Sequence, residues 1–90
     1  MSITDRDLMT ITTAAKRFGI GSVYLFGSAL EDDVIPKDID IAVKNVPPGT
    51  FFSFYAFLME RLSQPIDIVD LSAGNAVTSI IESEAKKIYG

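Results

Sequence analysis

FGSALEDDVIPKDIDIAV, residues 26–43, sets two acidic side chains, Asp38 and Asp40, at the head of an apolar run shortly after a glycine–serine pair. The run DIDIAV has the alternation and β-branched content of a strand, and SVYLF just before the quoted stretch reads as another, short, aromatic and bounded by glycine. The segment between them, with Pro36 in it, is too short for a helical crossover, so the two strands are expected to pair antiparallel.

Working outward, TDRDLMTITTAAKRFG places Leu8, Ile11, Ala15 and Phe18 at helical spacing, with Thr4 as N-cap, Asp7 three residues on and Gly19 as the stop. After the breaker NVPPG, Thr50 is expected to cap a helix running to about Leu62. Its Phe51, Phe54, Tyr55, Leu58, Met59 and Leu62 share one broad face. PIDIVDL reads as a third strand, reached by a helical crossover and therefore parallel to the second. A last helix is expected from Ser72, with Val77, Ile80, Ile81, Ala85 and Ile88 as its apolar stripe. The expectation is an α+β fold: a three-stranded mixed sheet, open to extension, with flanking helices, and residues 1–90 forming one domain.

Composition narrows the chemistry. Ninety residues, 48% of them apolar, are enough for one compact core that buries roughly 60 to 65% of the unfolded surface. With 12 acidic against 8 basic side chains the net charge is −4, which disfavours nucleic acid as a partner. No cysteine and no histidine are present, which excludes disulfides, thiolate zinc sites and the usual general base. The polar start MSITDRD is unlike a signal peptide, and the longest apolar stretch, FFSFYAFLM, is too short to cross a bilayer. A cytoplasmic protein without membrane contact is expected.

The carboxylates carry the functional argument. Alternation puts Asp38 and Asp40 on one face, roughly 6 to 7 Å apart, where two charges repel by about 2 to 3 kcal/mol at an effective dielectric near 20. Asp67 shares a face with Val69 in the third strand, opposite Ile66 and Ile68, and reaches the same cluster if that strand lies about 4.8 Å from the second. Three carboxylates without sulfur or imidazole form a hard-oxygen set suited to Mg²⁺ or Mn²⁺. Two such ions about 3.5 to 4 Å apart serve in-line displacement at phosphorus.

Each piece also has an ordinary structural reading. Asp-x-Asp can be a solvated strand end, Asp67 an exposed alternating residue, Gly27-Ser28 a simple turn and Lys37 a loop lysine. Asp70, on the opposite parity, is expected to cap a turn. A haloacid-dehalogenase-type site is disfavoured because its Asp-x-Asp follows an apolar strand, whereas here the apolar residues come after. An EF-hand fails at Ala42, where an oxygen ligand is needed.

Taken together, LFGS (Leu25–Ser28), KDIDIAV (Lys37–Val43) and IDIVDL (Ile66–Leu71) resemble the minimal nucleotidyltransferases of the DNA polymerase beta superfamily, and the closing IIESEAKKIYG is similar to that family's terminal helix. The resemblance implies that Gly27 and Ser28 hold a nucleoside triphosphate, most simply ATP. It implies that Asp38 and Asp40 ligate two Mg²⁺ ions, with Mn²⁺ an alternative. Asp67 would complete one metal site and help deprotonate an acceptor hydroxyl that attacks the α-phosphorus. It further implies transfer of AMP to a HEPN-type helical partner, this chain being the antitoxin of the pair. Members often carry arginine soon after the serine, whereas ALEDD (Ala29–Asp33) is acidic here. A non-catalytic binding module of the same fold, antitoxin or scaffold, is therefore the alternative. Phe57 falls outside the apolar helix face and, together with Phe52, is expected to make a partner or homo-oligomer contact.

Overall fold

The computed structural model describes residues 3–30, 38–74 and 76–90; of Ser28, Ala29, Ala73 and Val77 only the backbone is described. Helix α1 spans Asp5–Phe18. Its first turn is held by Thr4, whose Oγ1 accepts the Asp7 N–H at 3.1 Å. It stops at Gly19, whose φ of 71° places the left-handed C-cap and returns its N–H to the Ala15 and Lys16 carbonyls. Strand β1, Ser22–Phe26, leads into a 3-10 turn over Gly27–Leu30, and β2 is Ile39–Lys44. Helix α2 covers Phe51–Arg61 and β3 covers Ile66–Asp70.

Thr50 does not cap α2 through its side chain: its backbone is already helical, with φ −101° and ψ −21°, which turns the hydroxyl away from the free N–H groups. Its carbonyl instead accepts the Phe54 N–H at 2.9 Å.

The chain's end departs most from expectation. Leu71–Ala73, with Ser72 inside it, is a 3-10 turn; α3 is only Ala76–Glu84, and Lys86–Tyr89 forms a fourth strand, β4. The sheet order is β3-β2-β1-β4, with β4 antiparallel to β1 through a bulge at Val23/Tyr24. The expected helical stripe breaks for this reason. Ile81 and Ala85 pack on the sheet, Ile80 is exposed, Ile88 lies in β4 and the Val77 side chain is outside the described residues.

The two faces of the sheet have different occupants. Ile39, Ile41 and Val43 of β2, Val23 and Leu25 of β1 and Ile66 of β3 pack under α1 and α2, against Ile11, Ala15, Phe54 and Leu58. Burying side chains of this size contributes about 1.5–3 kcal/mol each. Met59, expected on that packed face, is exposed. Phe57 is the converse: it is half-buried, its ring 5.5 Å from that of Phe18, with the Arg61 guanidinium 3.7 Å from its centroid. It stacks within the α1–α2 contact, because α1 closes over that side of α2, and keeps one side at the surface groove between the two helices. Phe52, 83% exposed, remains free for the contact expected of the pair. The opposite face of the sheet holds Tyr24, Ala42 and Val69 under α3, and beyond them Asp40 and Asp67.

Candidate functional site

Antiparallel pairing sets Phe26 opposite Asp40, so the turn that leaves β1 folds directly over that carboxylate. Gly27 makes this possible in two ways. Its φ of +66° lies in the left-handed region that strains any side-chain-bearing residue. A Cβ built on it would also lie 2.5 Å from Asp40 Oδ2 and 3.4 Å from its Cγ. The glycine backbone and the Asp40 carboxylate therefore meet with no side chain between them.

In the parallel register of β2 and β3, Asp40 is the partner of Asp67, flanked by Ile39↔Ile66 and Ile41↔Ile68. Paired residues in neighbouring strands point to the same face, and the isoleucines occupy the other. Asp38 is an exposed residue just ahead of β2, Asp67 is exposed and Asp40 is half-buried. The Asp40 carboxyl is held above the ordinary carboxylate range, first by burial, then by the negative charge of Asp67 and then by that of Asp38.

No ion pair offsets this repulsion among the described residues. On the same face Lys44 is committed to Glu82, and the Lys87 Nζ lies 5.8 Å from the Tyr24 ring centroid. Nor are any three of the described acidic side chains gathered into a ready cation cage. Asp38 and Asp67 are thus within electrostatic reach of Asp40 without being closed around a common centre.

Of the other expected site residues, Ser28 is placed in the 3-10 turn by its backbone, while its hydroxyl lies outside the described residues, as does Lys37. Asp70 caps a turn as expected: its carboxylate accepts the Ser72 N–H at 2.9 Å. Two contacts of structural weight were not foreseen from sequence, one at Phe26 and one at Asp7, which the sequence placed only beside the Thr4 cap. Phe26 is the β1 register partner of Asp40 and so shares its face of the sheet. Asp7, 3% exposed, accepts the Ser63 N–H at 3.4 Å and the Ser63 hydroxyl, pinning α1 to the α2–β3 loop. No local pattern announces a pair 56 residues apart.

A mixed sheet with two helices on one face, and an Asp pair in parallel register beside a glycine turn on the other, defines a nucleotidyltransferase-fold domain. The family described as polymerase beta, nucleotidyltransferase matches residues 9–90, and the chain belongs to that family. Among solved structures, one similar chain comes from a toxin–antitoxin complex with AMP-PNP: 23% identity, TM-score 0.74, with 92% of this chain and 73% of that chain covered. Another comes from the toxin–antitoxin MntA-HepT: 22% identity, TM-score 0.71, with 97% of this chain and 73% of that chain covered. At these identities the likeness is one of fold. Among curated proteins none matches the sequence. No helix among the described residues is long and apolar enough to cross a membrane.

Proposed function

We propose that this chain is a Mg²⁺-dependent nucleotidyltransferase that moves a nucleoside monophosphate, AMP from ATP, onto a hydroxyl of a helical HEPN-type partner, as the antitoxin of that pair. The observation that carries the reading is the parallel register of Asp40 with Asp67, next to a glycine whose missing side chain leaves the Asp40 carboxylate open to the turn. Family membership supports nucleotidyl transfer. The AMP-PNP and the toxin–antitoxin pairing of the similar solved chains support the nucleotide and the partner.

The donor set fits the metal. Asp38, Asp40 and Asp67 supply only carboxylate oxygens, the ligands Mg²⁺ and Mn²⁺ prefer over sulfur or nitrogen donors. The two outer carboxylates are exposed, so their short side chains are free to turn inward. Asp38 and Asp40 would hold two ions and Asp67 would complete one site. Bound Mg²⁺ supplies charge neutralisation on the phosphate oxygens.

The chain's own groups divide the remaining work. The Gly27–Ser28 backbone would hold the triphosphate, and the absence of a side chain at 27 leaves room beside it for the Asp40 carboxylate. The Asp67 carboxylate accepts the proton of the acceptor hydroxyl. That oxygen forms the new bond to the α-phosphorus as the bond to pyrophosphate breaks. Positioning and electrostatic stabilisation provide most of the rate in such transfers.

A second reading, a non-catalytic module that neutralises its partner by contact, is favoured by the acidic run Glu31–Asp33 following the turn. One experiment separates the two. The protein is incubated with α-labelled ATP, Mg²⁺ and the product of the neighbouring gene, and both chains are weighed intact. AMP on the partner, lost in Asp40→Asn, is the expected result. No label on either chain, together with no heat on titrating millimolar Mg²⁺-ATP, overturns the transferase reading and favours the contact module.

A further inference from the structure

The helical face turned away from the carboxylates carries its own arrangement. Along α1, Arg6, Met9, Thr10, Thr13 and Arg17 recur three or four residues apart and share one side of the helix. Across from them α2 presents Phe57 and Arg61. Arg6, Met9, Thr10, Thr13, Phe57 and Arg61 line a groove of 280 Å³. At its Arg6–Arg61 end the groove meets a second recess of 430 Å³, reaching Ser63.

Charge and apolar surface coincide here. In a chain with net charge −4, Arg6 and Arg61 line this groove, and Arg17, outside its lining, stands over the ring of Phe57. The guanidiniums of Arg17 and Arg61 sit 5.3 and 3.7 Å from the Phe57 centroid. Among the described residues acidic compensation is slight: Arg61 meets Glu60 at 3.4 Å in an exposed pair, and the buried Asp7 carboxylate is taken by Ser63. Met9 beside them is 69% exposed.

We propose that the α1–α2 groove docks an acidic amphipathic segment of a partner protein, its apolar side chain seated between Met9 and Phe57 and its carboxylates on Arg6, Arg17 and Arg61. Guanidinium forks match carboxylates in bidentate geometry, and stacking on Phe57 holds two of them in place before binding, which lowers the ordering cost. A furrow between two helices is the shape that receives a third. A polynucleotide is the poorer occupant, since the rest of the molecule is negative and repels a long polyanion. The inference rests on this groove alone and is independent of nucleotidyl transfer.

A displayed random-peptide library, selected on the intact protein, provides the probe. Enriched peptides should carry Asp or Glu around an apolar or aromatic residue, and the binding of a synthesised winner should weaken with salt. Its affinity should fall at least tenfold in both Arg6→Glu/Arg61→Glu and Arg6→Gln/Arg61→Gln, and stay unchanged in Asp40→Asn. Circular dichroism checks folding; the two arginines are exposed, and the neutral pair serves if charge reversal disturbs the fold. Enrichment without acidic residues, or binding indifferent to both arginine pairs, overturns the proposal. So does arginine-dependent binding of single-stranded RNA of equal strength, or arginine-dependent self-association in sedimentation, which would make the occupant a nucleic acid or a second copy.

Discussion

The carboxylate of Asp40 occupies the space a side chain on Gly27 would need, its Oδ2 2.5 Å from where a Cβ would sit. Gly27→Ala therefore meets two penalties at once, a left-handed φ of +66° and a direct clash. The expected loss is about 1–3 kcal/mol of stability, with Mg²⁺-ATP binding abolished because Asp40 must be displaced. Urea unfolding and calorimetric titration measure the two effects. A fully stable variant that binds nucleotide normally would contradict this account of the turn.

Asp40 also makes folding pH-dependent. Its carboxyl binds a proton more tightly in the folded chain than in the unfolded one, through burial first and then the Asp67 and Asp38 charges. The sign follows: its contribution is fully present below the unfolded carboxylate pKa and is lost as pH rises through the raised folded value. In chelator-containing buffer at neutral pH, Asp40→Asn should melt higher than the parent, and its gain in stability on acidification should be smaller. Mg²⁺ should no longer raise its melting temperature. A lower melting temperature for the variant would assign Asp40 a structural hydrogen bond instead.

Phe57 and Phe52 should separate cleanly. Phe57→Ala removes a ring stacked on Phe18 and under the Arg61 guanidinium and should cost about 2 kcal/mol. Phe52→Ala, at an 83% exposed position, should stay within about 0.5 kcal/mol. Chemical denaturation of both variants measures the contrast, and equal costs would refute the packing assigned to α1 over α2.

Ser63→Ala should leave the buried Asp7 carboxylate short of a donor. The cost expected for an under-satisfied buried polar group is about 1–3 kcal/mol. Thermal melts of Ser63→Ala beside Ser63→Thr, which keeps the hydroxyl, test it; equal loss in both would point to backbone disturbance rather than the hydrogen bond.

What the sequence alone determined was local. Thr4 and Gly19 bound α1 because capping and left-handed φ are properties of one or two residues, and the β1–β2 pairing followed from a connection too short for a helix. The shared face of Asp40 and Asp67 was also legible, since alternation and a parallel crossover bring Asp67 beside Asp40 once β2 and β3 are neighbours. The tertiary structure decided the rest. Ile81, Ala85 and Ile88 fit a helical stripe as well as any, yet Lys86–Tyr89 is a strand because the free edge of β1 offers backbone partners that no local preference can foresee. Likewise, Phe57 became half-buried only because α1 packs against it through Phe18, a contact between segments far apart in the chain, where burial and not periodicity sets the energy.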